Sequence, residues 1–587
     1  MSNPFQSREV GADDPRGWMW LALSIIALVL LASGVGLHNG FAYDDRWIIL
    51  ENGNAHSLNR PWELFTTTYW PTTRGASLYR PLTILLYAAQ WVLGRIGHHG
   101  TDPYTGSPIV FHFVNIVLYA ANSVLVLLLG LQCLPRTAAW VAAALFAVHP
   151  VHVEAVANVV GQAELWTGLV LLSAVLIYVR ERQGGVTLPR GSAASIVALY
   201  VVGMLIKEYA IVLPALLVIA EVFLVRDTKP WRERADDLFS LLLWMTMFAL
   251  AFLWVRTRVT GDIGGDTEHP ALRHLSMGQR SLLMLGLVPD FGRLLVWPDH
   301  LSADYSPQMV QGYAGWHLGL LPGATLLMCL AILFVVSWRR WPVVTFGFAW
   351  LVISISPVAN ILIPSGILIA ERTLLVPSVG VMLAVGSLVP WILDRVKKQA
   401  RIVQIAAGGA FALVLTLGVA KSTERTLTWK TNETVFNQLA VDAPMSFKAH
   451  YVDGGMLWEQ HHAREAEIQW LMAIKLMPDY YAVRIDLAHK YRELHHCDAA
   501  VPLYKKGLEI EPALPLGWVG LIACYLEQAQ FRLARTTALE NKANGYDNCA
   551  FGYLVEVADS ALVATDSAGG INQWTGKHPK CKRHRSP

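Results

Sequence analysis

Charge is what this chain has least of. Only 16% of its 587 residues are Asp, Glu, Lys or Arg, against 54% hydrophobic, and the mean hydropathy is +0.39. Soluble domains carry about 25% charged residues, so the composition excludes a soluble protein and implies an integral membrane one. The formal net charge is only +3, so no nucleic-acid partner is expected. Cysteine is scarce too, at six residues with no C-x-x-C pair. No structural zinc site is therefore expected, and neither a metal nor another cofactor is assigned. Cys133 and Cys329 lie in apolar runs and read as core residues. Cys497, Cys524 and Cys549 leave room for a disulfide if their region faces an oxidising compartment. A Gly-rich loop of the G-x-x-x-x-G-K type is missing, which argues against a nucleotide-bound donor.

Long apolar runs are what the chain has in quantity. They predict an all-α polytopic membrane bundle of about eleven spans, at 18–37, 109–131, 137–150, 163–180, 193–207, 210–226, 238–256, 319–337, 343–358, 370–391 and 402–420. The first reads as a retained anchor rather than a cleaved signal. The 22 Trp fit a protein with two membrane interfaces. Lys and Arg cluster in 181–192, 226–237, 338–342 and 392–401, all on one side if the N-terminus is cytoplasmic. The segment with Asp44 and Asp45, and everything after 421, then lie outside. The interrupted stretches 79–96 and 281–297 are expected as helices in the outer interface.

After residue 421 the long apolar runs stop. Pro444, Pro478 and Pro512 are 34 residues apart, as are Ala466, Ala500 and Ala534. A 34-residue period of small residues and terminal prolines predicts a tetratricopeptide α-solenoid. The expected organisation is thus a transmembrane domain at 1–421, an extracytoplasmic repeat domain at 422–560 and a disordered basic tail at 561–587.

Ionisable residues in so apolar a chain are costly and stand out. "FAYDDRWIIL" sets Asp44 and Asp45 just beyond the first span. A carboxylate held there at membrane depth can accept a proton from a hydroxyl nucleophile; a plain solvated loop is the alternative. "FAVHPVHVEAVANVVGQAEL" carries His149, His152 and Glu154, with Asn158, Gln162 and Glu164 behind them. Broken by Pro150, that spacing is a poor zinc helix. It suits a polar sugar or acceptor pocket, or a helix cap with satisfied polar groups. "LIKEYAIVLP" places Lys207 and Glu208 in a tight break between apolar runs. Lys207 there can bind a lipid phosphate, or pair internally with a carboxylate. Asp304 in "LSADYSP" and Arg372 in "ERTLLVPSVG" lie on the same outer side; Arg372 is a second candidate grip for a lipid phosphate. Together these residues suit transfer of a group from a lipid phosphate to a hydroxyl outside the cytoplasm.

The order of "FAYDDRWIILEN", "YRPLTILLYAAQWVLG", "ALFAVHPVHVEAVANVVGQAELW", "KEYAIVL", "LSADYSP" and "ERTLLVPSVG", followed by 34-residue repeats, resembles the transmembrane and tetratricopeptide-repeat O-mannosyltransferase family of the C-type glycosyltransferase superfamily. The resemblance covers most of residues 40–540. It implies an inverting sugar transferase, with mannose on a polyprenyl phosphate as donor. It implies a Ser or Thr hydroxyl of a protein or peptide as acceptor, one the repeats can hold. Asp44 and Asp45 match the family's acidic pair, with Asp45 slightly favoured as base. Lys207 and Arg372 then bind the lipid phosphate, and His149, His152, Glu154, Glu208 and Asp304 line the sugar or acceptor pocket. Two departures leave sugar and acceptor open: Gln162 stands where the family often has Arg, and "KEYA" replaces its K-E-Q pattern. The repeats are expected in the periplasm if the source is bacterial, or in the endoplasmic reticulum lumen if eukaryotic. A membrane-anchored scaffold without catalysis, and a transferase acting on lipid or glycan, are the alternatives.

Overall fold

A computed structural model describes residues 15–70, 78–95, 107–225, 230–261, 269–272, 275–305, 315–543 and 548–566. All regular structure among them is helical. The chain divides into two units, Met1–Pro444 and Met445–Pro587. The first unit begins with α1 (Pro15–Ser33), α2 (Pro81–Arg95), α3 (Pro108–Cys133), α4 (Arg136–Ala147), α5 (Val153–Ala157), α6 (Gln162–Arg182), α7 (Arg190–Ile206) and α8 (Leu213–Phe223). It continues with α9 (Trp231–Thr260), α10 (Met277–Val296), α11 (Leu321–Ser337), α12 (Pro342–Ile355), α13 (Leu375–Lys397), α14 (Arg401–Thr428) and α15 (Asn432–Asp442).

Among the described residues, seven helices are long and apolar enough to cross a membrane, or eight if the pair 136–147 and 150–157, bent by 50°, counts as one span. This corrects the expected eleven. The runs at 193–207, 210–226 and 343–358 become helices of 17, 11 and 14 residues. At 1.5 Å per residue these are about 26, 17 and 21 Å long, short of the ~30 Å hydrocarbon core. The stretches 79–96 and 281–297 are helical, as α2 and α10.

The breaks that shorten these helices are anchored by close packing. α12 and α13 cross at Gly347 and Gly380, where a Cβ on either would overlap the other's carbonyl oxygen. Trp350, fully buried in α12, donates its indole N–H to the Val376 carbonyl at 2.8 Å. The start of α13 is therefore fixed. The break after α4 falls at Pro150, which cannot donate to the helical ladder. Helix resumes only for the single turn of α5.

The second unit holds α16 (Phe447–Glu459), α17 (Ala463–Leu476), α18 (Tyr481–Glu493), α19 (Cys497–Ile510), α20 (Pro515–Glu527), α21 (Phe531–Ala543) and α22 (Asn548–Asp566). Hairpins start at Phe447, Tyr481 and Pro515, 34 residues apart. Ala466, Ala500 and Ala534 are fully buried; a small residue lets paired helices approach. The tight turns within the hairpins use left-handed His461, His495 and Ala529, at the same interval. Cys497 and Cys524 form a disulfide between α19 and α20. α22 runs past the expected boundary at 560 to Asp566, and the rest of the basic tail lies outside the described residues. The units divide at Pro444 rather than at 421 because α14 continues to Thr428 and α15 packs with the first unit.

Candidate active site

The loop carrying the acidic pair follows α1 and a short 3-10 turn at Gly34–His38. It is tied to the end of α14: Asn39 donates to the Thr426 carbonyl at 3.0 Å, and the Gly40 N–H to the Lys430 carbonyl at 2.8 Å. The two carboxylates that follow point into different environments. Asp45 is fully buried. Its Oδ2 accepts from the N–H of Ala42 at 3.0 Å and of Val159 at 3.3 Å, and its Oδ1 from the N–H of Val160 at 2.9 Å. Burial pushes its pKa up to about 7, and the three backbone donors oppose that rise. Asp45 thus braces the loop against the turn between α5 and α6. Asp44 keeps 24% of its side chain exposed, with Oδ2 3.4 Å from Nη2 of Arg372. Of the pair, Asp44 is thus the carboxylate left partly open beside a cation, and Asp45 the one engaged by backbone N–H groups.

Arg372 is held chiefly by Glu154. Its Nη1 donates to Glu154 Oε1 at 2.9 Å, and its backbone N–H to Oε2 at 2.9 Å. Glu154 is 2% exposed at the start of α5, so the break around Pro150 delivers it. Glu371 faces another way. Its Oε1 accepts from the Ser302 N–H and from the Tyr305 hydroxyl, both at 2.6 Å, and lies 3.5 Å from Arg425. Arg425 also pairs with Asp442 at 3.2 Å.

The turn between α7 and α8 supplies the second half of the cluster. Lys207 is paired with Glu164, and both are largely buried. Glu208 receives two hydrogen bonds from Arg80, at 3.0 and 2.6 Å. Burial alone would raise the Glu208 pKa, but the Arg80 charge and hydrogen bonds outweigh it and hold it at about 2. The Arg80 guanidinium also lies over the Tyr69 ring, 5.1 Å from its centre. Glu164 stands within electrostatic reach of Lys207, Arg80 and Arg372, so it links the two halves.

The structure brings together Asp44, Glu154 and Arg372, and beside them Lys207 and Glu208. The two histidines bond inward. His149 Nδ1 accepts from the Val151 N–H at 3.3 Å, capping the turn after the break. His152 sits within hydrogen-bond distance of the Tyr119 hydroxyl, the Phe146 carbonyl and Ser378 Oγ at 2.8 Å. It fastens the broken segment to α13. Asp304 is buried in the 301–305 loop, which its backbone closes through Ser302 Oγ. Gln162 belongs to a buried amide network with Gln90 and Asn115. Among the described residues, no group of three or more His, Cys, Asp and Glu could hold a metal ion. Arg80 escaped the sequence reading. Its signal was an Arg directly before the proline that opens an apolar helix. Glu164 reads in the sequence as one of the polar groups lining a sugar site, and its pairing with Lys207 does not show there.

No protein-family model matches the chain. It is 25% identical over 529 residues to the human protein O-mannosyl-transferase TMTC3, covering 84% of this chain and 55% of that protein. It is 26% identical over 487 residues to human TMTC4, covering 74% and 63%. It is also 26% identical over 470 residues to the protein O-mannosyl-transferase F38B6.6 of Caenorhabditis elegans, covering 78% and 63%. The chain resembles protein O-mannosyl-transferases. It spans a little over half to under two thirds of the length of these relatives. Among solved structures it is similar to the Archaeoglobus fulgidus oligosaccharyltransferase AglB in complex with an inhibitory peptide and a dolichol-phosphate. The TM-score is 0.37 at 13% identity, covering 69% of this chain and 56% of that one. For the apo form of the Archaeoglobus fulgidus oligosaccharyltransferase the TM-score is 0.38 at 10% identity, covering 70% and 57%.

Proposed function

We propose that this integral membrane protein is a glycosyltransferase that moves a sugar, mannose by its relatives' names, from a polyprenyl phosphate to a Ser or Thr hydroxyl of a protein. The chemistry takes place on the extracytoplasmic side. One observation carries the reading. Arg80, Lys207 and Arg372 each have a dedicated carboxylate in Glu208, Glu164 and Glu154, and Asp44 is the additional acid, partly exposed beside Arg372. In the proposed step the acceptor hydroxyl gives its proton to Asp44. The acceptor oxygen attacks the anomeric carbon from the face opposite the phosphate. The carbon–oxygen bond to phosphate breaks, and polyprenyl phosphate leaves with the electron pair, its charge met by Arg372 and Lys207. A positioned general base contributes about 10²–10⁴-fold. The hairpins of the second unit are read as tetratricopeptide repeats that present the acceptor.

The test is a transfer assay with purified protein, polyprenyl-phosphate mannose and a Ser/Thr peptide, run with and without chelator. Asp44→Asn is expected to lose activity by at least about a hundredfold while folding normally. Full transfer by folded Asp44→Asn removes the reading.

A further inference from the structure

Tyr43, directly before Asp44, has a left-handed backbone with φ of 58°. A bulky side chain avoids that region, at a cost of about 1–2 kcal/mol, so its surroundings must enforce it. The hydroxyl donates to the Ala303 carbonyl at 3.4 Å, and the backbone and ring are held by the end of α14 and the start of α15. The Tyr43 N–H donates to Asn432 Oδ1 at 2.7 Å. Its ring stacks on Phe436 with centres 5.5 Å apart and 25° between planes, and meets the edge of Trp429 at 5.9 Å. Trp429 and Phe436 are buried, and Trp429 cannot move aside without opening the core around Ala42 and Val435. The loop is therefore gripped on its backbone and on its ring, one residue before the carboxylate.

We propose that Asn432, with Phe436 and Trp429 behind it, is a positioning clamp for the base. It holds Tyr43 in its strained turn and so aims Asp44 at the acceptor. The inference rests on the proposed role of Asp44 and assigns function to a segment far from it in sequence. Asn432 touches no reacting atom. Without its side-chain acceptor, the Tyr43 peptide relaxes toward ordinary φ and swings the Asp44 carboxylate away from its place beside Arg372.

Asn432 opens α15, and the capping box of Thr431 with Thr434 holds that helix independently. Asn432→Ala therefore leaves the helix formed. Asn432→Asp keeps the acceptor oxygen, and a negative charge suits a helix N-terminus. The experiment compares wild type, Asn432→Ala, Asn432→Asp and Asp44→Asn in full-length purified protein. It reads kcat, KM for the polyprenyl-phosphate sugar, and thermal midpoint. A misplaced catalytic group costs up to about a hundredfold. Asn432→Ala is expected to lose about tenfold to a hundredfold in kcat, with donor KM and midpoint unchanged, and Asn432→Asp to recover most of it. Wild-type kcat in Asn432→Ala overturns the clamp, as does a loss that Asn432→Asp shares in full. If Asp44→Asn itself stays active, it is the assignment of the base that fails.

Discussion

Replacing Glu154 with Gln tests the site where it is most tightly built. Glu154 uses both carboxylate oxygens on Arg372, one on the guanidinium and one on the backbone N–H. Gln keeps one acceptor and loses the charge. Arg372 is 15% exposed, and Asp44, already 3.4 Å away, becomes its remaining anionic partner. Removing one member of a buried ion pair costs about 3–5 kcal/mol; Asp44 offsets part of this, leaving about 3. Unfolding entropy is about 2 cal/mol/K per residue, or about 0.9 kcal/mol/K for the unit Met1–Pro444, so the thermal midpoint should fall by about 3 °C. Activity should fall further than stability suggests. With Arg372 drawn fully onto it, the Asp44 carboxylate is less free to meet an acceptor hydroxyl, and transfer should fall by about tenfold or more. Scanning fluorimetry and the transfer assay on one preparation separate the two effects. The Asp44–Arg372 contact is itself partly exposed and worth under about 1 kcal/mol, so Asp44→Asn serves as the control that keeps the wild-type midpoint. A Glu154→Gln protein that melts and transfers like wild type would refute the reasoning.

Three other perturbations follow from the geometry. Asp45 titrates near 7 in the folded chain against an ordinary 3.8. The unfolded chain therefore releases this proton first as pH rises, and folding loses up to about 4 kcal/mol between pH 4 and 7, none of it below and all of it above. Asp45→Asn should flatten that slope in midpoints measured across pH, and an unchanged slope would dismiss burial as its cause. The Cys497–Cys524 disulfide spans 27 residues in sequence, a closed loop worth about 3–4 kcal/mol on the chain-entropy account. Cys497→Ala should lower the repeat unit's denaturation midpoint, and reduced wild type should match it; equal midpoints in oxidised and reduced protein would mean the bond contributes nothing. Gly380→Ala sets a methyl group against the Gly347 carbonyl. It should cost about 1–3 kcal/mol, shift the start of α13, and lower transfer through Arg372; normal stability and activity would show that the crossing can yield.

The charged residues of this cluster were conspicuous in the sequence because the chain has so few charges. Asp44, Asp45, Glu154, Lys207, Glu208 and Arg372 stood out as acids and bases at the edges of apolar runs, and the 34-residue period reappears in the hairpin starts at Phe447, Tyr481 and Pro515. Partnership could not be read. Nothing in "DD" tells which carboxylate turns inward, since that depends on the N–H groups of Val159 and Val160, more than a hundred residues away. Spacing suggested one polar wall from His149 to Glu154, yet the histidines turn to Ser378 and the backbone while Glu154 reaches Arg372. Arg80 was hidden by its setting, because an Arg before a helix-opening proline reads as an interface anchor until Glu208 is seen opposite it. Asn432 gave no signal, as an Asn after a Thr cap is ordinary at a helix start.

The miscounted spans and the site have one physical origin. Hydropathy counts a continuous apolar run as a span and is blind to a backbone that leaves the helix inside it. In a bilayer such a backbone is tolerated only where protein or a cavity satisfies its polar groups. The break from Val148 to Gly161 supplies Glu154 and the two N–H groups that hold Asp45. The break at Lys207 supplies Lys207 and Glu208. The irregular stretch between α12 and α13 ends in Glu371 and Arg372. Each interrupted helix delivers charged side chains to the same cluster. Two apolar runs that flank a charged break are therefore better read as short helices meeting at a site than as two full spans.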